Sequence, residues 1–143
     1  MNLEQIYAAL FAKVNGLVGS GTFKTVSRRL LHWNDVVSAD QPALFQNQRH
    51  IDIRTTTNIP PIYVLHADLY LYANTQDKAV LPASILNPMV DLIIAALSPS
   101  NANQKETLGG LVHYCRISGK IETDEGLLGD QAVVIIPIEI LTT

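Results

Sequence analysis

The sequence has almost no cysteine: Cys115 is the only one among 143 residues. A single thiol excludes an intramolecular disulfide and a zinc site built from several cysteines. A lone cysteine at a core position of a strand is usually an inert apolar filler rather than a nucleophile. The composition therefore favours a protein of a reducing compartment.

The sequence also lacks a long apolar run. Residues 1–14 place Glu4 ahead of a broken apolar pattern, which resembles neither a secretory signal nor the roughly 20 apolar residues of a membrane span. We expect a soluble protein that is made in the cytoplasm and has no membrane partner.

Charge is scarce and unevenly distributed. Charged residues form 16% of the chain and apolar residues 48%, which favours burial of some surface against partners, although a small β-rich core would give similar numbers. Residues 1–54 carry six Lys and Arg against four Asp and Glu, whereas residues 55–143 carry four against nine. Because no dense basic stripe is present, the sequence argues against a DNA- or RNA-reading protein.

The hydrophobic patterns predict a single α+β domain over residues 1–143. Apolar residues at steps of three and four predict a first helix, and Asn87 followed by Pro88 is typical of the start of a second helix that ends before Pro99. The predicted helices and strands are helix 3–17, strands 23–30 and 43–57, strand 62–74 directly after two prolines, helix 87–98, and strands 111–122 and 131–141.

Two of these strands carry more specific expectations. In 43–57, Ala43, Phe45, Ile51 and Ile53 have the same parity and should share a face, in one long strand or in two with a turn near Asn47. In 62–74, the leucines and alanines alternate with a face that carries His66, Asp68, Tyr70 and Tyr72. Pro137 implies an edge or a bulge in the last strand, and residues 123–130 should form an acidic hairpin connection.

The chain shows no catalytic, cofactor-binding or metal-binding signature. His66 and Asp68 share a strand face and could orient an imidazole or hold a metal, but no third ligand is indicated, and an ordinary polar sheet face is the simpler interpretation. The glycines at 19–21 and 109–110 match neither phosphate-binding fingerprint and are better explained as turns. We therefore expect a protein that is not an enzyme.

Arginine and tryptophan are concentrated in one part of the chain. The residues are Arg28, Arg29, Trp33, Arg49 and Arg54. Such a cluster can bind nucleic acid, anchor a protein interface or form a solvated strand edge, and the residues alone leave these three interpretations open.

The order of residues resembles the tail terminator, or tail completion, proteins of long-tailed bacteriophages. The similarity is carried by FKTVSRRLLHWNDV at 23–36, QPALFQ at 41–46, TLGGLVH at 107–113 and IPIEIL at 136–141. The resemblance implies the lambda-like fold of those proteins, a mixed, largely antiparallel sheet flanked by two main helices. It also implies a ring, commonly a hexamer, that caps the tail tube, ends its polymerisation and offers a surface to the head connector.

The resemblance further implies partners and a location. The partners would be other copies of this chain, the tail tube protein and a connector or stopper protein, with DNA only passing through the lumen. The location would be the head-proximal end of the tail in the virion, after assembly in the host cytoplasm.

Ring formation gives the charge asymmetry a role. The basic residues Arg28, Arg29 and Arg54, with Trp33 beside them, could meet the acidic residues Glu122, Asp124 and Glu125 of the next subunit. Three alternatives stay open: a head–tail stopper or other neck protein, a small-ligand-binding module using the face of Tyr70 and Tyr72, and a small enzyme using His66 and Asp68.

Overall fold

We describe residues 1–18, 22–99, 104–125 and 129–143 of the protein in a computed structural model. The helices are α1 (Leu3–Val18) and α2 (Pro82–Leu97). The strands are β1 (Thr25–Ser27), β2 (Ala43–Thr56), β3 (Ile59–Asn74), β4 (Tyr114–Ile117), β5 (Glu122–Asp124) and β6 (Gln131–Thr142). Two single-turn 3₁₀ helices, Trp33–Asp35 and Ser38–Asp40, connect β1 to β2.

The strands form one mixed, largely antiparallel sheet in the order β1-β2-β3-β6-β4, and β5 pairs with β6 as well. Among the strands of the described residues, only the β1–β2 pair is parallel. Both helices pack on the same face of the sheet, where Ile6, Leu10, Leu86 and Ile93 meet the inward side chains of β3 and β6. The predicted α+β class, with a mixed sheet and two flanking helices, is confirmed.

The first helix forms as its pattern predicts. Ile6, Leu10 and Val14 recur every four residues and are almost fully buried. The Asn2 side chain accepts a hydrogen bond from the backbone N–H of Gln5 at 3.1 Å, which satisfies one of the free donors of the first turn.

The second helix begins earlier than the sequence indicates. It starts at Pro82, one turn and a half before Asn87, and Pro88 lies inside it. Pro82 occupies a position where a missing N–H has no cost, and burial of Ala83 and Leu86 extends the apolar face of the helix through that turn. The prediction of a start at Asn87 was wrong. A capping residue can be recognised from the neighbouring sequence, whereas the burial of the preceding turn depends on contacts with distant segments.

The long strand β2 is continuous, but a bulge changes which face its residues occupy. Gln48 pairs with Ala67 and Ile51 with Leu65, so Arg49 and His50 together oppose the single residue His66. Ala43 and Phe45 consequently lie on the helix-free face, whereas Ile51 and Ile53 pair with helix-side residues of β3. The expectation that these four residues share a face was wrong.

Three other strand predictions need correction. The strand predicted at 23–30 is reduced to Thr25–Ser27. The strand β3 begins before its two prolines rather than after them, and both prolines oppose the single residue Thr55 at a second register shift. Strand 111–122 is divided into β4 and β5. The backbone N–H of Ser118, directly after β4, donates to the Pro137 carbonyl at 3.1 Å. The N–H that Pro137 lacks would point to the same side as its carbonyl, so the gap in the hydrogen bonding falls where β4 ends and before β5 begins, as expected for a bulge.

In the described part of the chain, neither helix is long and apolar enough to cross a membrane.

Cys115 lies under the helices with a side chain that is 1% exposed. Burial, helped by the charge of Glu106, raises the pKa of the thiol to about 12, which reduces the thiolate fraction at pH 8 roughly 1000-fold. We predict that the folded protein reacts with a thiol reagent at pH 8 at least about 100-fold more slowly than the urea-unfolded protein, which supplies the control. Rapid reaction of one equivalent in the folded state would contradict this placement.

Candidate functional site

The helix-free face of the sheet carries an open groove of about 910 Å³. Its floor consists of Tyr70, Tyr72, Val133 and Ile135, which the β3–β6 register places side by side. One wall is residues 30–33, and the other is β5, with Glu122 and Asp124. The groove therefore has an apolar, aromatic floor and an acidic rim.

The wall formed by residues 30–33 is anchored to the floor. The Tyr72 hydroxyl donates a hydrogen bond to the Leu31 carbonyl at 2.8 Å, and Trp33 packs against a small second core that includes Phe45. Burial, helped by the neighbouring Tyr70, raises the pKa of Tyr72 to about 12. Burial also raises the pKa of Tyr70, and the Asp68 carboxylate adds to the effect.

Of the seven predicted interface residues, the structure brings three to this groove: Trp33, Glu122 and Asp124. Arg28 is bound within its own chain, because it donates to both carboxylate oxygens of Glu4 at 2.5 and 3.2 Å, and this lowers the pKa of Glu4. Arg29 is exposed beside it, and Glu125 lies at a separate depression near Asp130.

Arg54 lies on a different feature, an arm formed by residues 49–62 of the β2–β3 hairpin. The arm turns at Thr57 and Asn58, where Asn58 has a φ of 65°, and nearly all of its residues are exposed. Among them are Ile53 and Ile59, which are 61% and 60% exposed. The arm was not predicted from the sequence, because the only signal for it was a set of isoleucines that flank a polar turn.

A band of polar side chains crosses the helix-free face at the base of the arm. Arg116 and Tyr114 both bind Glu139, and Arg49 binds Asp68 at 3.4 Å. Burial raises the pKa of Asp68 although Arg49 opposes the effect. Burial acts in the same direction on Glu139, but the hydrogen bonds from Arg116 and Tyr114 lower its pKa overall.

His66 does not pair with Asp68, its predicted partner. Its Nε2 lies 3.0 Å from Oδ2 of Asp52, and its ring stacks on His50 with 4.2 Å between centroids. His50, Asp52 and His66 present three possible metal-ligating atoms, all within 4.8 Å of one another. This group was not predicted, because its members become neighbours only through the β2 bulge and the pairing with β3.

The glycine motifs divide into two cases. Gly109 and Gly110 lie in a turn with φ values of 74° and 90°, a conformation that favours glycine. The glycines at 19–21 lie outside the described residues.

No protein-family model matches the chain, and no curated protein sequence matches it significantly.

The Tyr72 hydrogen bond gives a pH-dependent test of the groove wall. Tyr72→Phe should lower the free energy of unfolding by about 0.5–1.5 kcal/mol at pH 7, measured by urea unfolding through Trp33 fluorescence. Because the folded-state pKa is raised, the wild type holds this contribution fully below pH 10 and loses it as pH rises towards 12, whereas the variant does not.

The matched control is Tyr63→Phe, since Tyr63 packs on the helix side of the sheet. That variant should keep the pH dependence of the wild type. A pH dependence that is the same in Tyr72→Phe and the wild type would contradict the assignment.

Proposed function

We propose that the chain is a structural assembly protein that forms a ring, commonly a hexamer in the family it resembles, and acts as a tail terminator of a long-tailed bacteriophage. In this role it caps the tail tube, ends tube polymerisation and offers a surface to the head connector. The role requires no catalysis. The observation that carries the proposal is that one chain presents a projecting apolar arm and, elsewhere, an apolar groove.

The outer part of the arm, with Ile53 and Ile59, is too far from the groove to reach it within one chain. Tyr70 in the groove lies eleven residue steps along β3 from Ile59 on the arm, which is roughly 36 Å at about 3.3 Å per residue. A contact between them must therefore join two chains. Such a contact uses different patches on its two sides, which is the heterologous arrangement from which rings are built.

The two surfaces are also complementary in chemistry. Ile53 and Ile59 offer apolar area on the two faces of the arm, and the groove offers the floor formed by Tyr70, Tyr72 and Ile135. Arg54 on the arm offers a positive charge to the acidic rim, where Glu122 is exposed. Apolar centres with charged rims are typical of specific protein interfaces, in which the charges set orientation more than affinity.

This arrangement modifies the hypothesis drawn from the sequence. Arg54 keeps its assigned role opposite the acidic residues of the next subunit. Arg28 is a poorer candidate, because its guanidinium already binds Glu4 of its own chain.

We predict that Ile53→Asp raises the concentration for half-assembly at least about tenfold, because a carboxylate would be desolvated in the contact. Light scattering gives the mass, and electron micrographs show whether a ring with a central hole forms. The control is Ile94→Asp, which changes an exposed isoleucine on α2. A wild-type monomer at high micromolar concentration, or equal assembly of wild type and Ile53→Asp, would contradict the arm-in-groove contact.

Charge reversal tests the pairing of Arg54 with Glu122. Arg54→Glu and Glu122→Arg should each weaken assembly, and the double variant should recover at least part of the loss. Additive losses in the double variant would show that these two residues do not meet across the interface.

The position of the ring in the phage particle requires a separate experiment. A terminator should bind purified tail tubes and block their further growth, whereas a stopper or other neck protein should bind DNA-filled heads.

A small-ligand-binding module is the second candidate, favoured by the size and aromatic floor of the groove. A protein that remains monomeric and binds a small ligand in the groove would favour that function instead.

A further inference from the structure

We propose that His50, Asp52 and His66 form a binding site for a divalent transition-metal ion of the zinc type at the base of the arm. The inference is independent of ring formation, since all three ligands belong to one chain. It rests on the distances between the ligand atoms, on the way the two strands hold them, and on the charges around them.

The distances are close to those a metal requires. Ligand atoms at about 2.0–2.1 Å from a tetrahedral zinc ion are separated by about 3.3 Å. The Asp52 Oδ2 atom lies 3.0 Å from Nε2 of His66 and 3.9 Å from Nε2 of His50, and all three ligand atoms lie within 4.8 Å of one another. A metal ion lies in the plane of each imidazole that binds it, and the two rings are stacked with 19° between their planes, so one ring must rotate out of the stack for all three atoms to reach one ion.

The backbone holds the three residues in place. The bulge turns both Arg49 and His50 towards the helix-free face, where Asp52 follows two residues later and His66 lies on the neighbouring strand. Ligands on paired strands are positioned more precisely than ligands on a loop. An ion at this point would also join β2 to β3 where the arm leaves the body of the sheet.

The surrounding charges do not oppose a cation strongly. Arg49 and Arg116 are the nearest basic side chains in the polar band, and each already binds an acid, Asp68 and Glu139 respectively. Glu139 pairs in register with His66 and adds a negative charge beside the site. Arg54 lies two residues beyond Asp52 and is the remaining positive charge on this face of the arm.

The ligand set indicates the class of metal. Two imidazoles and one carboxylate suit zinc, nickel, copper or iron, whereas calcium and magnesium prefer oxygen ligands alone. The side chains of His50 and Asp52 are 53% and 56% exposed and that of His66 is 23% exposed. The ion would therefore keep at least one position open to water or to a group from another molecule.

The chain supplies its own matched control, because two of its four histidines belong to the site and two do not. Zinc chloride is titrated by calorimetry into the full chain, into His50→Ala/His66→Ala, and into His32→Ala/His113→Ala. We expect about one zinc per chain for the wild type and the control, and an affinity at least about tenfold lower for the site variant. Absence of binding to the wild type at 100 µM zinc, or equal loss in both double variants, would overturn the proposal.

A measurement on the wild type alone keeps the test valid if a variant fails to fold. Imidazole nitrogen NMR signals report which rings bind an ion. Zinc should shift the signals of His50 and His66 and leave those of His32 and His113 unchanged, and the reverse pattern would overturn the proposal. Asp52→Asn should weaken zinc binding as well, since an amide is a poorer ligand than a carboxylate.

Discussion

The pairing of β3 with β6 is the interaction on which the other features of the structure depend. Its register runs without interruption from Tyr63 opposite Thr142 to Asn74 opposite Gln131. On one face these two strands supply the leucines and isoleucines that the helices cover. On the other face they align Tyr70 with Ile135 in the groove and His66 with Glu139 in the polar band. A change of one residue in this register would exchange the two faces and remove both surfaces.

The sequence predicted those features whose cause is local. The alternation in 62–74 correctly assigned the leucines of β3 to the core, because no irregularity interrupts that strand where it crosses the sheet. The run at 131–141 was correctly identified as a strand, although only its helix side is fully covered. Pro137 was correctly assigned to an irregularity, since its missing N–H coincides with the division between β4 and β5. In each case the relevant pattern lies within one segment.

The features that the sequence did not predict depend on contacts between distant segments. Parity along 43–57 cannot reveal a bulge at Arg49 and His50, because the bulge exists only relative to β3. The bulge reverses the face of Ile51 and Ile53 and brings His50 next to His66, so one missed feature explains both the wrong face and the missed metal ligands. Trp33 and Glu122 were selected from the sequence as interface candidates, but their position on opposite walls of one groove follows from the fold alone.

The arm is poorly stabilised by contacts within its own chain. A two-stranded ribbon is at best marginally stable in water, and this one exposes Ile53 and Ile59. Contact with a neighbouring groove would bury the isoleucines, and a bound ion would fix the two strands together at the base. The ion and Ile53 lie on different faces, because Ile53 pairs with Tyr63 on the helix side, whereas the metal ligands lie on the helix-free side. Ile59 pairs with Thr56 on the helix-free side, but at the far end of the arm. An ion at the base would therefore leave both Ile53 and Ile59 available for a partner, and the two effects should combine rather than compete.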